Sequence, residues 1–397
     1  MRVLMLSWEY PPHIVGGLGR HVAELVPALI QQGIEVHLVT PRWAGGEPKE
    51  ESNGLTVHRV DPPSVSMPDF YTGAWQTNIK LEEVSGSLCQ DMGIDLIHSH
   101  DWLTGFSACA LKRNFGLPLL STIHATEQGR AQGHLVTDQQ RAIHSVEWWL
   151  TYESWRVICC SQFMANEVSS YFKTPLDKID VIPNGVKVDR FARWDGIDLS
   201  RFRSMYALPG EKIVFSVGRI VQEKGLHLLV EAAPRVLAEN PAAKFVIAGT
   251  GDLLDALRHR AWELGIGDKV LFTGFISDDD RDRLYKVAAC AVFPSLYEPF
   301  GIVALEAMAA KVPVVVSVVG GLQEVVKHAE TGITVYPDNV ESLAWGINHT
   351  LTRPDWATQR AENAYKVVSE EYNWQRIAQR TIQVYERIVA ERAKTAW

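Results

Sequence analysis

At 397 residues, 46% of them hydrophobic and 22% charged, the chain is too long for one ordinary core and suits two globular domains of about 150–200 residues each. Its formal net charge of -8 gives no global positive field toward nucleic acid or anionic lipid, so neither is expected as a partner. No run approaches the roughly 18 apolar residues of a membrane span, and five cysteines without a C-x-x-C pair read as packed thiols, so a cytoplasmic setting without stable membrane insertion is expected.

Residues 3–7 form a short apolar run, cut off by Glu9 and Pro11-Pro12 before it can serve as a leader segment. Residues 11–19 read as loop, and 21–32 as a helix with Val22, Leu25, Val26 and Leu29 on one face. Gly33 ends that helix and 34–40 give the next strand. Further apolar strands follow at 96–99, 119–123 and 157–160. Apolar runs without alternation belong to strands buried on both faces, as in a parallel sheet covered by helices. Turn residues at 182–186 and a polar stretch through Arg201 break the rhythm, which marks a linker near 185–205. It restarts with 213–217, 244–248, 270–272, 291–293 and 312–316, and an amphipathic helix closes the chain from Trp374. The expected fold class is α/β. Two Rossmann-like, doubly wound parallel-sheet domains, 1–190 and 191–373, face across a cleft, and a C-terminal helix, 374–397, packs back toward the first. Ligands of such sheets bind beyond the carboxyl ends of the strands, so the chemistry is sought in those loops.

The loop after the strand 213–217 carries Gly218, Arg219 and Lys224. An arginine fork and a mobile lysine cation there can converge on one dianionic group; the alternative is a solvated pair at a helix start. After the strand 291–293 runs Ser295-Leu296-Tyr297-Glu298-Pro299-Phe300-Gly301-Ile302-Val303-Ala304-Leu305-Glu306. Glu298 falls in the turn and Glu306 inside the helix that follows. Gly301 lets backbone approach a ligand, and the N–H groups of Ile302 and Val303 lie at the positive helix end. A carboxylate at Glu306, in an apolar stretch, needs partners, which sugar or ribose hydroxyls would supply. The alternative is a core glutamate satisfied within the protein.

Arg219 and Lys224 five apart, followed by E-P-F-G-x-x-x-L-E with Glu298 and Glu306 eight apart, resemble the donor site of family-4 retaining glycosyltransferases of GT-B fold, a group that includes glycogen synthases and sucrose-phosphate synthases. Supporting segments are Gly16-Gly17, His100-Asp101-Trp102, His124, Pro183-Asn184-Gly185-Val186 and Gly249-Thr250-Gly251. The resemblance implies a nucleotide-sugar donor and a carbohydrate acceptor. Arg219 and Lys224 would neutralise the leaving diphosphate, helped by Ile302 and Val303. Glu306 would bind the donor ribose and Glu298 the transferred sugar. Gly16 and Gly17 would let the first-domain loop approach the diphosphate, and His124 would meet the donor sugar. The resemblance also implies no essential metal and no cofactor, and the sequence shows no compact Asp/His ligand cluster. Charge on the departing phosphate is then stabilised by fixed cations, and that phosphate takes the acceptor proton on the same face; double displacement through a carboxylate is the other route. Where glycogen and starch synthases carry a lysine before Val-Gly-Gly, this chain has Ile14.

Acceptor candidates are Asp101, Trp75 and Arg130. Asp101 reads equally as a cap of the following helix. Phe70, Tyr71 and Trp75 read as aromatics of a polar loop, where contact with an acceptor is favoured. His98, His100 and His124, at the ends of two strands, read as packed or hydrogen-bonded rather than metal-ligating. Trp148, Trp149 and Trp155 read as core, with a carbohydrate-stacking surface as the alternative. A sugar-phosphate acceptor would need first-domain cations, for which Arg20, Arg42, Lys112, Arg113, Arg130 and Arg141 are available. A nucleotide-sugar epimerase and a membrane-surface transferase are the competing readings; a basic helix after Ser161, which the latter needs, is not evident.

Overall fold

The computed structural model describes residues 1–43 and 45–395. They divide into two compact units, Met1–Gly185 with the segment from Trp374 onward, and Val186–Asn373. In the first unit the strands are β1 (Arg2–Leu6), β2 (Glu35–Pro41), β3 (Lys49–Ser52), β4 (Leu55–Val60), β5 (Leu96–His100), β6 (Leu119–Ile123), β7 (Arg156–Cys159) and β8 (Ile179–Val181). They lie in the order β3-β4-β2-β1-β5-β6-β7-β8. All neighbours run parallel except β3 and β4.

The strongest apolar run takes the middle of this sheet: Val3 pairs with Val36 on one side and Leu96 on the other, and all three are fully buried. Each such side chain contributes about 1.5–3 kcal/mol by leaving water. The helix Gly17–Gln31 buries Val22, Leu25, Val26 and Leu29 in the same core that receives Ile377, Tyr385 and Ile388 of the helix Trp374–Arg392.

The antiparallel pair β3–β4 was not expected, because all four residues of β3 are exposed and carry no apolar period. The loop reading of Phe70, Tyr71 and Trp75 is corrected: they open a helix, Phe70–Asp91, whose N-cap Asp69 accepts from the Thr72 backbone N–H at 2.7 Å. That cap satisfies a first-turn donor and starts the helix before any apolar period is visible.

The second unit contains β9 (Lys212–Val217), β10 (Ala243–Ala248), β11 (Val270–Gly274), β12 (Cys290–Phe293), β13 (Val314–Ser317) and β14 (Ile333–Val335), in the order β11-β10-β9-β12-β13-β14 and parallel throughout. Strand order reverses between β9 and β12, and in the first unit between β1 and β5. Loops diverge at such switch points and leave a crevice for a ligand. Among the described residues no helix is long and apolar enough to cross a membrane, and the five cysteines are free thiols.

Candidate functional site

In the second unit the loops after β9 and β12 are built against each other. The backbone carbonyl of Glu223 accepts from the N–H groups of Leu296 and Tyr297, at 2.8 and 3.2 Å. Gly225 has φ +65°, and a Cβ there would sit 1.9 Å from the Pro294 carbonyl oxygen, so only glycine allows the loops to meet. This contact brings Lys224 to Glu298: Nζ lies 2.7 Å from Oε2. Ser295 donates its hydroxyl to the same oxygen at 3.3 Å. Gly218, Lys224, Ser295, Glu298 and Val303 line one recess over the ends of β9 and β12.

Arg219 stands beside this recess as a half-exposed side chain paired with Glu223 at 2.9 Å. The helix Ile302–Ala309 begins at the recess; its first backbone bond runs from Ala304 N–H to Gly301 C=O, so the N–H groups of Ile302 and Val303 precede the intrahelical ladder. Gly301 has φ +103°, and a Cβ there would meet the Leu322 side chain at 2.5 Å. Its glycine is therefore required by the turn and by Leu322, where the sequence reading invoked approach to a ligand.

Glu306 does not depend on a ligand alone for partners. Its carboxylate is buried, but the protein itself supplies partners: Oε1 lies 3.2 Å from Arg190 and 3.5 Å from Arg281, and Tyr285 donates to Oε2 at 3.4 Å. Sequence reading missed Arg190 because it lies in the polar segment taken as linker, and Arg281 because it sits among alternating surface charges in the helix Asp278–Val287. Arg190 also pairs with the fully buried Asp282 at 2.7 Å.

The other candidates lie in the first unit. Gly16 caps the helix Gly17–Gln31, and its N–H donates to Glu9 at 3.0 Å, as does that of Val15 at 2.8 Å. Asp101 follows β5 with φ +57° and ψ 176°, a conformation L-residues rarely hold. The capping reading fails: its side chain caps no helix and instead accepts the His124 backbone N–H at 2.7 Å. Burial pushes the Asp101 carboxyl up to about 6, against the pull of Arg130 and of backbone N–H groups from His124 and Ala125. Arg130 itself lies 3.8 Å from Glu127.

The strands β5 and β6 are neighbours, which brings His98, His100 and His124 together, and His21 joins them from the helix Gly17–Gln31. His98 is hydrogen-bonded at both nitrogens, to Tyr385 at 2.7 Å and Thr122 at 2.8 Å. His100 Nδ1 lies 3.1 Å from His124 Nε2, and His21 Nδ1 lies 2.6 Å from Asn184 Oδ1. Burial drives His21 and His124 down to about 3 and holds His98 and His100 well below the ordinary imidazole range, so all four rings stay neutral. One nitrogen each of His21, His100 and His124 lies within 4.8 Å of the others, a donor set able to take one divalent cation. The sequence reading, which had these histidines at separate strand ends, did not see this convergence.

Trp75 is half exposed on its helix, while Phe70 and Tyr71 pack on Trp102 at 6.0 and 6.1 Å between ring centres. The three tryptophans read as core divide: Trp148 faces outward and stacks on Tyr152, Trp149 packs on Phe106, and the Trp155 indole donates to Glu391.

Two family models match the chain, "Glycosyltransferase Family 4" over residues 15–190 and "Glycosyl transferases group 1" over 201–367. An uncharacterised glycosyltransferase of Methanocaldococcus jannaschii is 44% identical over 97% of this chain and 98% of its own. A glycogen synthase of Mycobacterium tuberculosis is 36% identical over 97% of this chain and 94% of its own. Among solved structures, sucrose-phosphate synthase from Thermosynechococcus elongatus superposes with a TM-score of 0.84 at 27% identity, covering 98% of this chain and 99% of that one.

Proposed function

Because the chain belongs to the family-4 glycosyltransferases of GT-B fold, and is glycogen synthase-like among them, we propose that it moves a hexose, glucose first, from a UDP- or ADP-sugar to a carbohydrate acceptor such as an α-glucan, with retention at the anomeric carbon. The observation that carries the donor half is the Lys224–Glu298 pair at the strand-order reversal of the second unit, with Arg219 before it and the start of the helix Ile302–Ala309 after it. Cations and a helix N-terminus at one crevice suit a diphosphate. Glu298 and Glu306 supply acceptors for sugar and ribose hydroxyls.

The proposed step breaks the bond between the anomeric carbon and the donor phosphate oxygen. The acceptor hydroxyl attacks on the same face and passes its proton to that departing oxygen. Lys224, Arg219 and the N–H groups of Ile302 and Val303 stabilise the charge that develops there, without an essential metal. His124, held neutral, contributes a hydrogen bond rather than a proton.

Nearly full-length likeness to a glycogen synthase supports a glucan acceptor. The likeness to a sucrose-phosphate synthase favours a sugar phosphate as the second reading. Against it, five of the six available cations have local acidic partners: Arg42 pairs with Asp61, Lys112 and Arg113 with Glu153, Arg130 with Glu127 and Arg141 with Asp138. The test is nucleoside diphosphate release from UDP-glucose and ADP-glucose, offered glycogen, maltotetraose or fructose 6-phosphate, with and without EDTA. Glucan-dependent release that EDTA leaves unchanged is expected. Release of an epimerised sugar nucleotide without acceptor, or no acceptor-dependent release from any hexose donor, overturns the reading.

A further inference from the structure

Glu306 sits at the centre of a buried cluster of charges whose other members, Arg190, Arg281 and Asp282, have no part in the reaction as proposed. Its side chain is 3% exposed, Asp282 0%, Arg281 5% and Arg190 18%. Two carboxylates and two guanidiniums compensate one another there, and isolated ions at such depth are not tolerated. The two oxygens of Glu306 are held differently. Oε1 faces both guanidiniums, Arg190 at 3.2 Å and Arg281 at 3.5 Å. Oε2 accepts from the Tyr285 hydroxyl at 3.4 Å.

Arg190 is itself fixed on two sides. Asp282 holds its Nη2 at 2.7 Å, and its guanidinium lies 4.8 Å over the ring of Phe191. Burial works against the charge on Arg190, but Glu306 and Asp282 more than restore it, so the guanidinium is a permanent cation at this spot. A carboxylate gripped at one oxygen has a defined direction for the lone pairs of the other.

We infer that Arg190 is a positioning residue for Glu306: it anchors Oε1 so that Oε2 is presented in fixed orientation to the ribose hydroxyls of the nucleotide. The inference rests on the reading of Glu306 as the ribose-binding carboxylate. It adds a residue from the four-residue helix Asp189–Ala192 that touches no substrate and acts only through Glu306.

The test is calorimetric. UDP and ADP are each titrated against their 2′,3′-dideoxyribose counterparts, with the wild-type chain, Arg190→Met, Arg190→Lys, Glu306→Gln and the Arg190→Met/Glu306→Gln double variant. The wild type should prefer the ribose form by about tenfold or more, the size of hydrogen bonds to a charged group. Glu306→Gln should remove most of that preference. Arg190→Met should remove a similar share while leaving affinity for the dideoxy nucleotide unchanged, which general loosening of the fold would not do. The double variant should lose no more than either single one. If Arg190→Met does not fold, Arg190→Lys decides, and its ratio should fall between wild type and Glu306→Gln. A wild-type ratio in the Arg190 variants, with the ratio lost in Glu306→Gln, overturns the positioning role and leaves the ribose reading standing. A wild-type ratio in Glu306→Gln removes the ribose reading, and the inference with it.

Discussion

Replacing Lys224 by methionine separates the two tasks its ammonium performs. The first is structural. Glu298 is buried, its Oε2 is held by Lys224 at 2.7 Å and Ser295 at 3.3 Å, and loss of the cation leaves a buried carboxylate with a weak neutral donor. Removing one member of a fully buried pair costs about 3–5 kcal/mol. The Lys224 side chain is one-quarter exposed, so water recovers part of this and about 1–3 kcal/mol remains. The second task is electrostatic stabilisation of the departing diphosphate, and loss of one such preorganised group lowers turnover by about 100- to 1,000-fold. The assay pairs urea denaturation with nucleoside diphosphate release for Lys224→Met, Glu298→Gln and the double variant. The double variant, in which no charge is left unpaired, should regain most of the stability and none of the activity. Turnover of Lys224→Met within about threefold of wild type, or recovery of activity together with stability in the double variant, would refute the reasoning.

Two other predictions rest on the first unit. Asp101 has a folded-state pKa of about 6 against an ordinary 3.8, raised first by burial, so the folded chain holds a proton that the unfolded chain releases. Its contribution to stability is therefore full below about pH 4 and is lost as pH rises toward and through about 6, a change on the order of 2–3 kcal/mol. Asp101→Asn keeps an acceptor for the His124 N–H and should flatten this dependence; urea midpoints that fall equally in both proteins between pH 4 and 6 would contradict it. The four clustered histidines should show no imidazole titration between pH 5 and 8 in proton NMR, because desolvation holds each ring neutral. A resonance of His124 titrating near 6.5 would remove its assignment as a neutral hydrogen-bonding ring.

The parts of this fold that were legible in sequence are those that local pattern controls. Apolar runs such as 119–123 and 213–217 have few choices but the interior of a parallel sheet, and both form strands there. The strand Lys49–Ser52 was not legible, since its pairing with Leu55–Val60 supplies an order that its own exposed residues do not signal. The same division holds for the candidate site. Lys224 and Glu298 each lie in the loop that follows a strand, so their meeting follows once both strands are placed side by side. The partners of Glu306 lie 116 residues earlier at Arg190 and on a charged helix at Arg281 and Tyr285, where no short spacing points to a carboxylate. The role of Asp101 turns on a backbone conformation that an Asp-Trp pair does not announce, and the histidine cluster on a helix laid over two strands.

The most direct measurement of the central claim is the anomeric configuration of the product. The chain is incubated with α-configured UDP-glucose or ADP-glucose and maltotetraose, and the configuration of the new linkage is read by proton NMR. An α-linked glucosyl unit formed together with one nucleoside diphosphate is the predicted result. A β-linked product, or donor hydrolysis with no new linkage, would contradict retaining hexosyl transfer.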